Sequence, residues 1–373
     1  MRNTVSTTRT IRTLGIEAPG QMAVYSYEEE ALPEGQFRVE TLYSGFSAGT
    51  ELTYFRGTNP YLHQQWDADW GAFRTGAPAQ QLPLQSVGYM EVGRVSESRY
   101  APVPVGMTIA TTYGHRTGFT INPAEKFFLP LPDDLDPLLG VYVAQMGPIC
   151  ANGVLHSAAD LLGTHVTTLG DGVRGRHVLV LGGGVVGLLT ALFAHHSGAA
   201  AVTVADQVPE RLAVIANLGL EPLDIRKTDA WEVCKSRWRH GPGERGADIA
   251  FQCSGVAAGL QSALKSLRPQ GTVIDMAFYQ GGLPDVRLGE EFHHNGLSIR
   301  CAQIGHVPYG LSNAWGRRRL ALETLDLLRT CGDAIRSHIV TDLVPFADAP
   351  AFVADLAAGK RATLQAVFQM TDC

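Results

Sequence analysis

No C-x-x-C pair occurs among the six cysteines, Cys150, Cys234, Cys253, Cys301, Cys331 and Cys373, which lie scattered along the chain. That spacing offers neither a disulfide framework nor a zinc knuckle, and a reducing cytoplasm is the expected compartment. A long basic tract is also missing, and the net charge is −6, which argues against a nucleic-acid partner. Nor does any apolar run reach membrane length. The longest, Val178–Ala194, is short and broken by glycines, so no membrane partner is expected. The opening MRNTVSTTRTIRTLG has no apolar core and is not a secretory signal. An organelle transit peptide would share its arginines and hydroxyls, but a first strand leading into the body is the expectation. Internal repeats and low-complexity segments are absent too.

What is present is enough for two domains, since 373 residues at 45% hydrophobic content can build more than one core. The organising stretch is His177–Asp206. His177–Leu181 is a Val- and Leu-rich run suited to a buried parallel strand. Gly182-Gly183-Gly184-Val185-Val186-Gly187 then fits G-x-G-x-x-G. The first glycine permits the turn, the second lets a pyrophosphate approach the backbone, and the third lets the helix pack on the strand. Helix-opening N–H groups would face the phosphates, where the dipole favours negative charge. Val202–Ala205 is the next strand, and Asp206 closes it roughly 20 residues on, where an acid can bind the adenosine ribose. A 2′-phosphate would meet like charge there, so NAD(H) is expected over NADP(H), with Arg211 near enough to contest the point.

Residues up to about 150 read as β-rich, with strand material at Val39–Tyr43, Gly88–Val95 and Thr108–Tyr113. A helical approach at Ala151–Leu162 leads to strands and helices that alternate. Ala247–Phe251 and Thr272–Met276 are the fourth and fifth strands, which implies a parallel sheet covered by helices on both faces. Between Glu51 and Gly88 lies a stretch without periodicity that carries Tyr54, Phe55, Tyr61, Trp66, Trp70 and Phe73. A loop so long and aromatic is expected to wall or cover a substrate cleft, or else to make a structural contact.

Together with Gly246-Ala247-Asp248, Cys253-Ser254-Gly255, Leu267-Arg268-Pro269-Gln270-Gly271 and the closing Val344–Phe352, these features resemble the medium-chain dehydrogenase/reductase superfamily. The resemblance spans essentially the whole chain. It implies an α/β protein: a β-rich GroES-like catalytic domain at 1–152, a Rossmann doubly wound parallel sheet at 153–312, and a C-terminal segment at 313–373 returning to the catalytic domain. It also implies a homodimer, with Leu297–Ile304 as an edge strand, and adds Cys253 to the cofactor site.

The departures from that family concern zinc. Its zinc-dependent members carry a ligand Cys in G-x-C-G-x-D, where this chain has Gly45-Phe46-Ser47-Ala48-Gly49-Thr50-Glu51. They carry Gly-His-Glu where it has Gly88-Tyr89-Met90, and the third ligand would fall near Gly147-Pro148, with Cys150 out of register. The closely spaced cysteines of a structural zinc lobe are missing. Ser47 and Tyr89 are poor replacements for thiolate or imidazole, so no zinc is expected. A site rebuilt from Glu51, His63, His115 or Cys150 is the alternative. The wording around Ser47 and Gly88-Tyr89 is similar to a zinc-deficient branch that includes bacteriochlorophyllide dehydrogenase-like proteins, often found in bacterial secondary metabolism.

Without a metal, hydrogen-bond donors must stabilise the developing alkoxide. Thr50 matches the family's relay hydroxyl. Tyr89 stands where a histidine ligand would, and a phenol of ordinary pKa near ~10 can donate a proton. His115 is a relay base or substrate contact. Ser47, Glu51, Tyr54 and His294 are candidate substrate contacts, with Glu51 also suited to holding Arg56 or a backbone turn. Each has a structural alternative, whether cap, core filler or surface histidine. The expected activity interconverts an alcohol and a carbonyl on a small-to-medium polar molecule, such as a sugar, cyclitol or secondary-metabolite intermediate. Two rivals fit the same residues: an NAD(P)H-dependent enoyl or quinone reductase, and a nucleotide-binding protein without catalysis.

Overall fold

The computed structural model describes residues 8–279, 282–283 and 285–370. They form two compact units, one running to Gln145 and resuming at Val340, the other Met146–Ile339. These bounds differ from the divisions at 152/153 and 312/313 that the resemblance implies. The helix Met146–Leu162 begins five residues earlier than its expected start, and the long helix Arg317–His338 packs on it, which keeps both in the second unit.

In the second unit six strands form one all-parallel sheet. Its order is Glu221–Asp224, Ala201–Asp206, His177–Leu181, Ala247–Gln252, Leu267–Asp275, Ser298–Cys301. The chain works outward from His177–Leu181 in one direction, then restarts beside it with Ala247–Gln252. The carboxyl ends of these two strands therefore border the switch point, where ligands bind in doubly wound sheets. Both strands are buried almost throughout, which explains their continuous apolar character. One face is covered by a core of Leu179, Leu181, Leu260, Leu264, Leu267 and Trp238 among others. Each such side chain contributes about 1.5–3 kcal/mol on burial.

The first unit is built on a seven-stranded sheet ordered Val340–Pro345, Gln365–Gln369, Phe37–Gly45, Glu91–Ser98, Thr108–Thr111, Phe128–Pro130, with Gly118–Ile121 also on Phe37–Gly45. The closing segment thus supplies two strands here, Gln365–Gln369 antiparallel to Phe37–Gly45. Arg9–Ala18 and Gln21–Glu29 form a separate hairpin. Phe46, Leu52, Phe55, Phe346, Phe352 and Phe368 share one core cluster of this unit.

Two local expectations are corrected. Gly88–Val95 is not one strand: it starts at Glu91 and runs to Ser98, because Gly88 sits at φ +96 and breaks the extended run. The stretch after Glu51 is not all loop either. Ala48–Phe55 is a helix, and Gln65–Asp67 pairs with Ala72–Arg74 as a small hairpin. Gly49 and Thr50 hid that helix, since neither favours one intrinsically.

Candidate active site

The helix Ala48–Phe55 follows directly on the strand Phe37–Gly45, and this junction builds the polar centre of the first unit. Ser47 is the N-cap, with its amide exposed to solvation loss. Glu51 reaches back one turn and accepts that amide on Oε1 at 2.7 Å. Its other oxygen, Oε2, meets His115 Nε2 at 2.7 Å, and His115 Nδ1 lies 2.6 Å from Ser44 Oγ. Glu51 is 2% exposed and His115 0%. Gly88 passes directly over the imidazole: a Cβ there would sit 2.7 Å from His115 Nε2.

Above this buried chain lies a second, hydroxyl layer. Ser47 Oγ hydrogen-bonds the Tyr89 phenol, and Thr50 Oγ1 is 3.4 Å from the same oxygen. Ser47 is buried, while Thr50 and Tyr89 are partly exposed. Ser47, Thr50, Glu51, Tyr89 and His115 are therefore brought together. As a substrate contact, however, His115 is corrected: both ring nitrogens are engaged and no surface is open to a ligand. Glu51 is corrected likewise, and it holds His115 and the Ser47 amide rather than Arg56. Tyr54 is half-buried on the same helix, packed against the Leu52–Phe55 core cluster, and burial raises its pKa. His294 belongs to the other unit, exposed, its Nδ1 3.0 Å from the Glu290 carbonyl.

Two residues of this region escaped the sequence reading. Ser44 falls one residue past the strand expected at Val39–Tyr43, and the strand in fact runs on to Gly45. Glu91 is wholly buried between the Thr41 and Thr111 hydroxyls, both of which donate to it, and desolvation pushes its carboxyl up to about 8. An acid following Met90 and preceding Val92 at an inward strand position was the available signal.

The family's zinc can be tested against these donors. A catalytic zinc takes three ligands from thiolate, imidazole and carboxylate. Ser47 and Tyr89 present hydroxyls bonded to each other, and the carboxylate and imidazole behind them are bonded together. His63 Nε2 lies 2.8 Å from the Gly57 carbonyl, and Cys150 is a fully buried thiol pushed up to about 12 by desolvation. The donor set does not fit. Among the described residues one trio has metal-ligand spacing, His177, His240 and Asp248, and it lies in the second unit.

The dinucleotide turn does fit. A Cβ on Gly187 would lie 1.8 Å from the Gly182 carbonyl oxygen, so helix and turn touch only because it is absent. At Gly184, the N-cap of Val185–His196, a Cβ would meet nothing within 4 Å, leaving the backbone open to an approaching phosphate. Asp206 is 6% exposed. Its carboxylate accepts the amides of Gly183 at 2.6 Å, Gln207 at 2.7 Å and Val208 at 2.8 Å. Arg211 lies 3.6 Å from it. The acid thus shapes the turn as well as standing beside it. Cys253 closes the opposite wall, its amide donating to the Leu181 carbonyl at 2.9 Å, with its thiol pKa raised by burial. Gly182–Gly187 is therefore assembled with Asp206, Arg211 and Cys253.

Known proteins are similar to this chain. A family model described as zinc-binding dehydrogenase matches residues 185–316. D-guloside 3-dehydrogenase of Escherichia coli K12 is 25% identical over 341 residues, covering 89% of this chain and 92% of that protein. L-idonate 5-dehydrogenase of Escherichia coli superposes with a TM-score of 0.72 at 14% identity, over 98% of this chain and 100% of its own. A Sinorhizobium meliloti 1021 chain solved bound to NADP gives 0.70 at 19% identity, over 97% and 99%. At such identities the structural likenesses speak for the fold.

Proposed function

Because this chain belongs to the medium-chain dehydrogenase/reductase superfamily, an oxidoreductase of the alcohol dehydrogenase-like kind, we propose that it interconverts an alcohol and a carbonyl without zinc. NAD(H) is preferred over NADP(H), and the substrate is a sugar, cyclitol or secondary-metabolite intermediate. The observation that carries this reading is the hydroxyl layer: Ser47 and Tyr89 stand where the resemblance puts metal ligands, and Thr50, the matched relay hydroxyl, lies beside them. The substrate class is supported by relatives named for a guloside and for idonate.

Residues 182–187, Asp206 and Cys253 would hold the dinucleotide, which supplies the hydride acceptor or donor when bound. In the reducing direction the Tyr89 phenol donates its proton to the carbonyl oxygen as negative charge develops there. Such positioned donation is worth roughly 10²–10⁴ in rate. Ser47 Oγ fixes the phenol's position, and Thr50 Oγ1 is the next hydroxyl from which the proton is resupplied. For oxidation the same atoms pass it outward. Glu51 and His115 hold Ser47 in place from behind. The branch resembling bacteriochlorophyllide dehydrogenase-like proteins suits this metal-free arrangement.

A cytoplasmic homodimer is part of the same reading. Ser298–Cys301 is a sheet edge paired on one side by Leu267–Asp275, and Ile299 on it is 37% exposed.

Turnover followed at 340 nm across glycosides, polyols and their ketones, with NAD and NADP compared, tests the proposal. Expected is activity that survives dialysis against EDTA, less than a tenth of an equivalent of zinc by mass spectrometry, and a higher kcat/KM with NAD. One zinc per chain with activity lost to chelation would overturn the mechanism. A preference for NADP would overturn the role given to Asp206.

A further inference from the structure

At the amino edge of the parallel sheet, opposite the dinucleotide turn, the second unit holds a cavity of about 350 Å³. Arg176, Asp248, Arg268, Gln270, Thr272 and Ser298 line it. The two arginines are not equivalent. Arg268 Nε bonds Asp248 Oδ1 at 2.7 Å, and the other Asp248 oxygen accepts the His177 amide at 2.8 Å. Arg268 Nη1 also lies 3.7 Å from a Glu244 carboxylate oxygen, so its charge is matched. Arg176 is half-buried at the mouth of the strand His177–Leu181, and its guanidinium has no hydrogen bond or ion pair among the described residues. Burial pulls its pKa down; the Asp248 charge offsets part of that and the Arg268 charge adds to it, the mark of a cation desolvated without full compensation.

Two further observations point into the same cavity. Gln270 is the one non-glycine residue with positive φ among those described, at +60. Its amide donates to the Asn295 carbonyl at 2.8 Å, which fixes that conformation despite its cost to a residue with a Cβ. Thr272 and Ser298 are register partners on adjacent strands, so two hydroxyl-bearing residues stand side by side on the wall.

A metal is the competing occupant, since His177, His240 and Asp248 lie within ligand distance of one another. Asp248 is already committed on both oxygens, His240 Nε2 lies 3.0 Å from the Gly246 carbonyl, and two guanidinium groups oppose a divalent cation. Arg268 is matched by Asp248 and Glu244, and Arg176, the cation left without a bonded acid, favours an anion. A guanidinium fork matches the oxygens of phosphate, and hydroxyl and amide side chains complete its shell.

We propose that this cavity is a second anion site that takes the phosphate group of a small metabolite, separate from the dinucleotide turn. The space is much larger than one phosphate ion, which leaves room for the carbon skeleton of a phosphate ester.

The test is calorimetric titration of inorganic phosphate and of glucose 6-phosphate into the full chain and into Arg176→Ala and Arg176→Gln, at constant ionic strength. Phosphate held by the turn at 182–187 binds wild type and variants alike and cancels in the comparison. The expected result is saturable binding to wild type, weakened about tenfold or more in both variants, as loss of a charge-assisted hydrogen bond requires. Tighter glucose 6-phosphate identifies an ester as the occupant, and equal affinities identify free phosphate. The variants lose no internal partner, so their melting temperatures without ligand should match or exceed wild type. Equal affinity in wild type and both variants, or no saturable binding to wild type, would overturn the site.

Discussion

The Glu51 carboxylate and the His115 imidazole meet at 2.7 Å with side chains no more than 3% exposed. Neither faces solvent, and their joint effect is to hold the Ser47 amide, and through it the Ser47–Tyr89 hydroxyl pair. Removing one partner leaves a buried polar atom of the other unsatisfied, which costs about 1–3 kcal/mol. His115→Ala is therefore expected to lower stability by about 1–3 kcal/mol in urea unfolding. Loss of less than about 1 kcal/mol would show that the pair is not mutually dependent.

Tyr89→Phe keeps the ring and deletes the proton donor. The expectation is a fall in kcat of about 10²-fold, with KM for the carbonyl substrate little changed and the melting temperature within a degree or so of wild type. Ser47→Ala should act more weakly in the same direction, because it only loosens the phenol. Unchanged kcat in Tyr89→Phe would remove the phenol from the mechanism.

Gly184 and Gly187 separate binding from folding. An added methyl at 184 enters open space, so Gly184→Ala should fold normally yet raise the dissociation constant for NADH by about tenfold or more, as a steric block of a phosphate cradle does. The same change at 187 drives a Cβ into the Gly182 carbonyl and should destabilise by about 1–3 kcal/mol. Equal NADH affinity in wild type and Gly184→Ala would show that the cofactor lies elsewhere.

Glu91 sets a pH dependence. Its folded pKa of about 8 lies above the ordinary carboxylate value of 4.5, because burial disfavours the charge. A raised pKa gives stability that is complete below the unfolded value and is lost as pH climbs through the folded one. The melting temperature should therefore fall between about pH 4.5 and 8. Glu91→Gln stays neutral, so its slope over that window should be flatter and its melting temperature at pH 8.5 higher than wild type. A wild-type slope retained in full by the variant would place the titrating group elsewhere.

Much of the second unit was legible in the sequence because its signals are local. A continuous apolar run means a strand buried on both faces, and the three glycines need only their own turn to explain them. Asp206 shows the limit. Its distance from the glycines was readable, but the three amides it accepts come from two separate loops, and only the fold joins them. The first unit was harder still. Ser44, Glu51, Tyr89 and His115 are up to 71 positions apart in sequence. No periodicity links them, and the helix that carries Glu51 has weak intrinsic propensity and is held by packing of Leu52 and Phe55.

The sequence by itself determined the nucleotide-binding architecture and the absence of thiolate and imidazole from the positions where the family keeps its metal, since both follow from residue identity at short range. Tertiary structure alone decided that Glu51 and His115 form a buried support rather than a reactive surface, and that Arg176 lines a cavity without an acid bonded to it. Burial and pairing arise from chain segments distant in sequence, and they govern what a charged side chain can do.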